Sequence, residues 1–473
     1  MKSCGYRRGR TKNGVRTTVR WVAAFAIFVI AGVEPRTAAN TQLSIVDLGT
    51  LGGTVGVAVA VNDSGQVAGS SYLAGNSIQH AFLWTAVDGM IDLGTLGGSW
   101  SAAVAMNGGG QVVGWSQVAG DTAIHAFSWT AAGGMIDLDT LGGSTSRATA
   151  VNDTGQVVGW SQLAGDAAAH AFSWTAAGGM IDLGTLGGNS EARAVNGSGQ
   201  VVGIAGAHAF SWTATGGLID LGTLGGGSQA LAVNGSGQTV GTSVAAGGVF
   251  THAFSWTAAG GMIDLGTLGG AASLAVAVND GGQIVGRSRI AGNSAQHAFS
   301  WTAAGGMIDL GGLGPNSTGV GVNGTGQVIG FSTLAGNIGQ HAFSWTAGEG
   351  MIDLGTLGGP NSEASAVNDG GHVVGWSHDA SSNTRPTLWR PLTPAEALAN
   401  LLAAVNGMTF EPGSAVLQAA LASLDHGNTG ATCNQLEAFI NQVVAAAGKS
   451  LTPSQADQLI DAAAAIQAML ACS

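Results

Sequence analysis

His170-Ala171-Phe172-Ser173-Trp174-Thr175-Ala176-Ala177-Gly178-Gly179-Met180-Ile181-Asp182-Leu183-Gly184-Thr185-Leu186-Gly187-Gly188 is one copy of a segment that recurs, with small changes, from residue 43 to residue 391. Its His-Ala-Phe step begins at His80, His125, His170, His208, His252, His297 and His341, and a worn eighth copy is Arg385-Pro386-Thr387-Leu388-Trp389. Eight Asp-Leu steps stand at Asp47, Asp92, Asp137, Asp182, Asp220, Asp264, Asp309 and Asp353. Eight asparagines stand at Asn62, Asn107, Asn152, Asn196, Asn234, Asn279, Asn323 and Asn368. The period is 44 or 45 residues, apart from one of 38 between His170 and His208. Repetition on that scale marks an array of supersecondary units and constrains the fold before any single residue does.

Four strand signals fall in each unit. In the third they cover residues 148–152, 156–161, 170–175 and 180–186, separated by Gly, Asn and Asp, which tolerate the positive φ of tight turns. No helical period appears between 43 and 391. The third and fourth strands read as a hairpin that sets Trp174 opposite Ile181, Phe172 opposite Leu183 and Ser173 opposite Asp182. One face then carries His, Phe and Trp and the other Ala, Ser and Thr, so successive sheets can nest large face on small. Four-stranded units of about 44 residues predict an all-β, eight-bladed β-propeller. The ends agree with that reading. The repeat region opens on a fourth strand at 45–51 and closes on a third strand at 385–389, so the first residues complete the last unit. A seven-bladed ring with a stray unit and a β-solenoid are the alternatives.

These recurring steps resemble the extracellular HAF repeat family, named for His-Ala-Phe, over about three quarters of the chain. The resemblance implies a secreted bacterial repeat protein and no established activity.

Residues 1–39 differ from the rest. Lys2, Arg7, Arg8, Arg10, Lys12, Arg16 and Arg20 precede an apolar run from Trp21 to Val33, and small residues Thr37-Ala38-Ala39 follow. This is the pattern of a secretory signal peptide cut near Ala39, with a retained anchor as the alternative. Cleavage would leave seven basic and 26 acidic residues, a net charge of −19. Such an acidic chain is a poor partner for nucleic acid, whose phosphates call for Lys and Arg, and for anionic membrane surfaces. The destination is extracellular or the cell surface, with no membrane contact after cleavage.

The repeated His residues look like a metal array. However, equivalent positions on neighbouring sheets lie about 10 Å apart, whereas zinc ligands share one ion at ~2 Å. They read as packed or hydrogen-bonded residues. The repeated Asp residues read as bonded to Ser or to turn N–H groups, although Leu83 and Leu388 replace that Ser in two units. The Asn residues read as turn formers. No Gly-x-Ser-x-Gly, His-Glu-x-x-His or EF-hand pattern occurs. No metal and no cofactor is expected.

Function on a repetitive scaffold is expected where the repetition breaks. The stretch between fourth and first strands carries Trp100, Arg147, Glu191, Arg193, Gln229 and Glu363 where other units have Ser, Ala or Gly. The adjacent loop carries Tyr72, Arg287 and Arg289, and in the fourth unit shrinks to Ala205-Gly206-Ala207. These are the candidate binding residues, with drift on exposed loops as the alternative.

At Pro391 the composition changes. Thr393-Pro394-Ala395-Glu396 is a capping box that starts a helix to about 408. Ser414 opens a second helix to about 424, a third spans about 432–447, and Thr452-Pro453-Ser454-Gln455 caps a fourth to about 470. Residues 392–473 thus form a small all-α domain. Antiparallel packing of the last two helices would bring Cys433 to Cys472. Cys433-Asn434-Gln435-Leu436-Glu437-Ala438-Phe439-Ile440-Asn441 resembles FIMAH-type helical domains of secreted bacterial proteins, which implies an accessory or docking role.

The expected protein is a secreted, non-enzymatic scaffold that binds a protein or glycan on one face of the propeller. An extracellular propeller enzyme, a glycoside hydrolase or polysaccharide lyase, is the alternative. A purely structural surface protein is another.

Overall fold

The computed structural model describes residues 43–408 and 410–472, so the leader and cleavage site expected at 1–39 lie outside it. The described chain is mostly β, with four C-terminal helices.

In the third repeat the strands are Gly142–Val151, Val157–Leu163, Ala169–Thr175 and Gly179–Asp182, paired antiparallel in chain order. The first strand starts six residues earlier than residue 148, because the Gly-Gly step belongs to the sheet. A Cβ on Gly143 would lie 2.6 Å from the carbonyl oxygen of Leu163, so only glycine lets the two backbones come this close.

The hairpin register is one residue away from expectation: Phe172 faces Asp182, Ser173 faces Ile181 and Trp174 faces Met180. The cause is the loop. Thr175 Oγ1 accepts the N–H of Gly178 at 3.1 Å and Gly179 takes φ +67°. This closes a three-residue loop where four had been expected.

Successive sheets nest as the alternation requires. Fully buried Phe172 packs on Val113, Ala126 and Leu138 of the preceding repeat, while Ala171 of the other face meets Ala192, Val201 and Phe210 of the next. Burying one such Phe is worth about 2–3 kcal/mol, and Phe82, Phe127, Phe172, Phe210, Phe254, Phe299 and Phe343 are all fully buried. The arrangement is propeller-like.

At one end of the sheets the buried asparagines bond from repeat to repeat. Asn152 Nδ2 donates to the carbonyl of Asn196 at 2.9 Å, and Asn107, Asn196, Asn234, Asn279 and Asn323 do the same to their successors. Asn368 donates back to Asn62 at 2.9 Å, and Asn62 donates to Gly108 at 3.3 Å. Each Asn carboxamide is held in turn by its own repeat; Asn152 Oδ1, for example, accepts the N–H of Gln156. The first described strand lies beside the last strand of the repeats. Leu43–Asp47 pairs antiparallel with Thr384–Pro391, with Ile45 opposite Trp389. Leu48, Ala58 and Phe82 share a buried cluster with Val374 and Leu388.

The helices are α1 Pro394–Gly407, α2 Glu411–Asp425, α3 Thr429–Ala446 and α4 Pro453–Met469. The capping boxes of Thr393 with Glu396 and Thr452 with Gln455 both form. Two starts precede expectation: Pro412 enters the first turn of α2, and Asn428 caps α3 through the N–H of Ala431. Leu398, Leu417, Leu436, Phe439, Val443 and Leu459 fill the shared core. The Cys433–Cys472 disulfide is present, with Cα atoms 5.6 Å apart. Its closed loop of about 40 residues contributes roughly 4 kcal/mol on the chain-entropy argument. Arg390 of the last strand grips Glu396 at 2.6 and 2.8 Å, joining the sheet to the cap of α1. That guanidinium pulls the Glu396 carboxyl down to about 2.

Candidate functional site

The candidate residues lie inside strands and not in loops; those on first strands stand five or more residues before the asparagine of their repeat, except Arg193, which is three before Asn196. Arg147 pairs with Trp160, Glu191 with Ile204, Gln229 with Thr242 and Glu363 with Trp376, each across the first and second strands of one sheet. Trp100 lies in Gly97–Met106, and Arg193 occupies the irregularity between Ala192 and Ala194. Tyr72 lies in Val67–Leu73, and the exposed Arg287 and Arg289 lie in Ile284–Ile290. The correction has two causes: most first strands start early, at the Gly-Gly step, and the second strands run on past the Ser, as Val67–Leu73 and Ile284–Ile290 do.

Three of these residues form one cluster. Arg193 Nη1 donates to Gln229 Oε1 at 2.7 Å, and its Nη2 lies 3.6 Å from Glu191. The others stand in separate grooves. Arg147 lies over the Trp115 ring of the preceding repeat at 4.6 Å, a cation–π contact, and burial lowers its pKa. Trp100 meets Tyr72 edge to face at 5.7 Å. Glu363 accepts from Gln340 Nε2 at 2.5 Å and from Trp376 Nε1 at 3.3 Å, and Trp376 tilts against His378 at 5.1 Å.

Sequence reasoning missed Trp115, Trp160, Phe331 and Trp376, all half-buried at one register of their second strands. They had read as the aromatic part of a buried second strand. The signal that distinguishes them is variation. The same position holds Ser70, Ile204, Thr242 and Arg287 in the other repeats, whereas the true core positions beside it stay Val, Ile, Ala or Thr.

The His–Asp relation is a further correction. His170 Nδ1 bonds Asp182 at 2.8 Å, and the same pair forms at His80, His125, His208, His252, His297 and His341. With Asp182 opposite Phe172, it shares a face with His170 two residues away. Asp182 also accepts the N–H of Gly184 at 2.7 Å, as a turn acceptor should. The Ser partner is absent from this pair, since Ser173 Oγ accepts from Gln156 Nε2 at 2.9 Å. Among the described residues, no three His, Cys, Asp or Glu side chains are placed to share a metal ion.

At the asparagine end a cavity of about 600 Å³ is lined by the Asn turns and by Asp63, Asp153, Asp280 and Asp369. Each carboxylate accepts a turn N–H of the preceding repeat: Gly108 to Asp153, Gly235 to Asp280, Gly324 to Asp369 and Asp369 to Asp63.

No family model matches the chain, and no curated protein is similar to it. Among solved structures it is similar to TolB of Acinetobacter baumannii, at 11% identity and a TM-score of 0.31, over 50% of this chain and 64% of that one. It is also similar to dipeptidyl peptidase 4 of Porphyromonas gingivalis, at 11% identity and a TM-score of 0.34, over 61% of this chain and 57% of that one. The chain thus spans less than two thirds of either structure.

Proposed function

We propose that this chain is an exported, non-enzymatic binding scaffold. In this reading the HAF-type repeats close into an eight-bladed β-propeller. The end remote from the asparagines holds a protein or glycan ligand, and the helical unit is an accessory module. The bond from Asn368 to Asn62 and the pairing of Leu43–Asp47 with the last strand support eight blades and closure. The basic leader and the disulfide are compatible with an extracellular or cell-surface location. Among the described residues, no helix is long and apolar enough to cross a membrane.

The observation that carries the binding reading is where the variation falls. Trp100, Arg147, Glu191, Arg193, Gln229 and Glu363 all stand on first strands, and Trp100, Arg147 and Glu363 lie against partly exposed aromatic side chains. An enzyme acting on polysaccharide is the second reading, and the four aspartates of the axial cavity are the feature that favours it. Their engagement as main-chain acceptors counts against it.

A glycan array and a pull-down with the purified full chain test the proposal, beside a W100A/R147A/E191A/R193A variant. A ligand held by the parent and lost by the variant is the expected result. Binding by neither, from protein shown folded by circular dichroism, overturns it in favour of a structural surface protein.

A further inference from the structure

We infer that the varied end binds a linear, uncharged polysaccharide along an arc of aromatic side chains. The inference rests on the binding reading above and adds the class of ligand.

The arc is Phe331, Trp376, Tyr72, Trp100, Trp115 and Trp160, from the seventh, eighth, first, second and third repeats. These repeats are neighbours in space, because the last bonds to the first. All six side chains are half-buried: Trp115, Trp160, Phe331 and Trp376 share one register in the middle of their second strands, and Tyr72 and Trp100 lie two positions farther from the asparagine turns. The fourth, fifth and sixth repeats interrupt the series with Ile204, Thr242 and Arg287 at the equivalent place, and the first holds Ser70 there with Tyr72 two residues on.

Three features select the ligand class. First, four of the rings are held before any ligand arrives. Trp100 rests against Tyr72, Trp376 is bonded to Glu363 and leans on His378, and Trp115 carries Arg147 on one face. Fixed side chains lose little entropy on binding. Apolar rings beside amide, carboxylate and guanidinium groups suit a sugar, which offers a C–H face to the ring and hydroxyls to its neighbours.

Second, the surface offers an extended peptide no main-chain partner. Trp115, Trp160, Phe331 and Trp376 lie on second strands, and each of those strands is already paired on both sides. Strand addition, which supplies the affinity of many peptide sites, is closed here.

Third, the charges near the arc are net negative. Arg147 and Glu363 have opposite signs, and the nearby carboxylates of Asp121 and Asp166 accept the N–H groups of Ser99 and Ser144. With Asp and Glu exceeding Lys and Arg by 27 to 15 over the chain, an acidic polysaccharide is repelled. Neighbouring sheets pack about 10 Å apart. A polymer with its own regular repeat can therefore touch several rings, and weak contacts add through multivalency.

The test is retention of the full chain by insoluble cellulose, by insoluble chitin and by native gels cast with xylan or with alginate. Retention by at least one of the three neutral polymers and none by alginate is expected. W160A and W376A should each weaken it by about ten-fold, the effect of losing one stacking ring. W160F should restore it to within about three-fold, which separates loss of a ring from loss of fold. I219A, on the outer edge strand, should leave it unchanged. No retention by any neutral polymer, retention by alginate, or full retention by the W160A/W376A double variant overturns the inference. If the pull-down captures a protein through this end while no neutral polymer binds, the glycan assignment falls and the binding reading stands.

Discussion

The two ends of each sheet obey different rules. At one, eight repeats carry the same asparagine, each buried and each bonded to the next repeat. Farther back on each first strand, the residue after a buried Ser or Gly is Val57, Ala102, Arg147, Glu191, Gln229, Leu274, Thr318 or Glu363. The contrast follows from what each position must do. A donor that satisfies its neighbour's carbonyl admits one chemistry, because leaving the partner buried and unpaired is costly. A half-exposed position at a groove admits many, since substitutions there change stability little. Uniformity marks the joints of the array, and variety marks positions that carry no such joint.

The largest test of that contrast is Asn234→Ala. It deletes the donor to the Asn279 carbonyl and the acceptor for the Gln238 N–H, and should cost about 3 kcal/mol in urea unfolding. Asn234→Asp keeps the acceptor and should cost less. A change below about 0.5 kcal/mol for the alanine variant would remove the asparagines from the joint.

Next comes Ser190→Ala. Ser190 Oγ accepts the N–H of Ala171 at 2.9 Å and donates to the carbonyl of Gly184 at 2.6 Å. Its loss should cost about 1–2 kcal/mol, read as a lower thermal midpoint.

Acid separates the two kinds of bond near the asparagine end. The carboxamides do not titrate, whereas Glu396 does. Its carboxyl is depressed to about 2 in the folded chain, chiefly by Arg390. The Arg390–Glu396 contribution is therefore present above the ordinary value of 4.5 and is lost as pH falls from there through about 2. The pair is partly exposed, so the loss should be only about 0.5 kcal/mol. Comparing the parent with R390A at pH 6 and pH 2.5 by urea unfolding should show the difference shrinking in acid. A gap that stays constant would mean the pair does not stabilise the joint.

The smallest effect is expected for Gln229→Ala, within about 0.5 kcal/mol of the parent, although it removes the bond from Arg193. A loss comparable to that of Asn234→Ala would erase the distinction between the ends.

Much of this architecture was legible in the sequence. The period, the complementary ends and both capping boxes needed only residue types at fixed spacing. The hairpin register was not, because Ala176-Ala177-Gly178-Gly179 suits a loop of three residues or of four. The choice falls to the Thr175 hydroxyl and its bond to Gly178. That single step hid the His170–Asp182 pair, which no spacing rule reveals until the register is known. Trp115, Trp160 and Trp376 were missed for another reason. An aromatic residue after Val-Val-Gly looks the same whether its strand position is central or near an open end, and only the neighbouring sheets decide which.

The strand Leu43–Asp47 completes the sheet that contains Thr384–Pro391, and this places one unusual demand on folding. Within each repeat the contacts are local, so a sheet can form soon after its own residues are available. The contact between Asn62 and Asn368 spans 306 positions and has no local precursor. Its search is shortened once the intervening sheets have stacked, because the flexible length left to close is then small. Refolding should therefore show a slow final phase that belongs to the seam between first and last repeats alone.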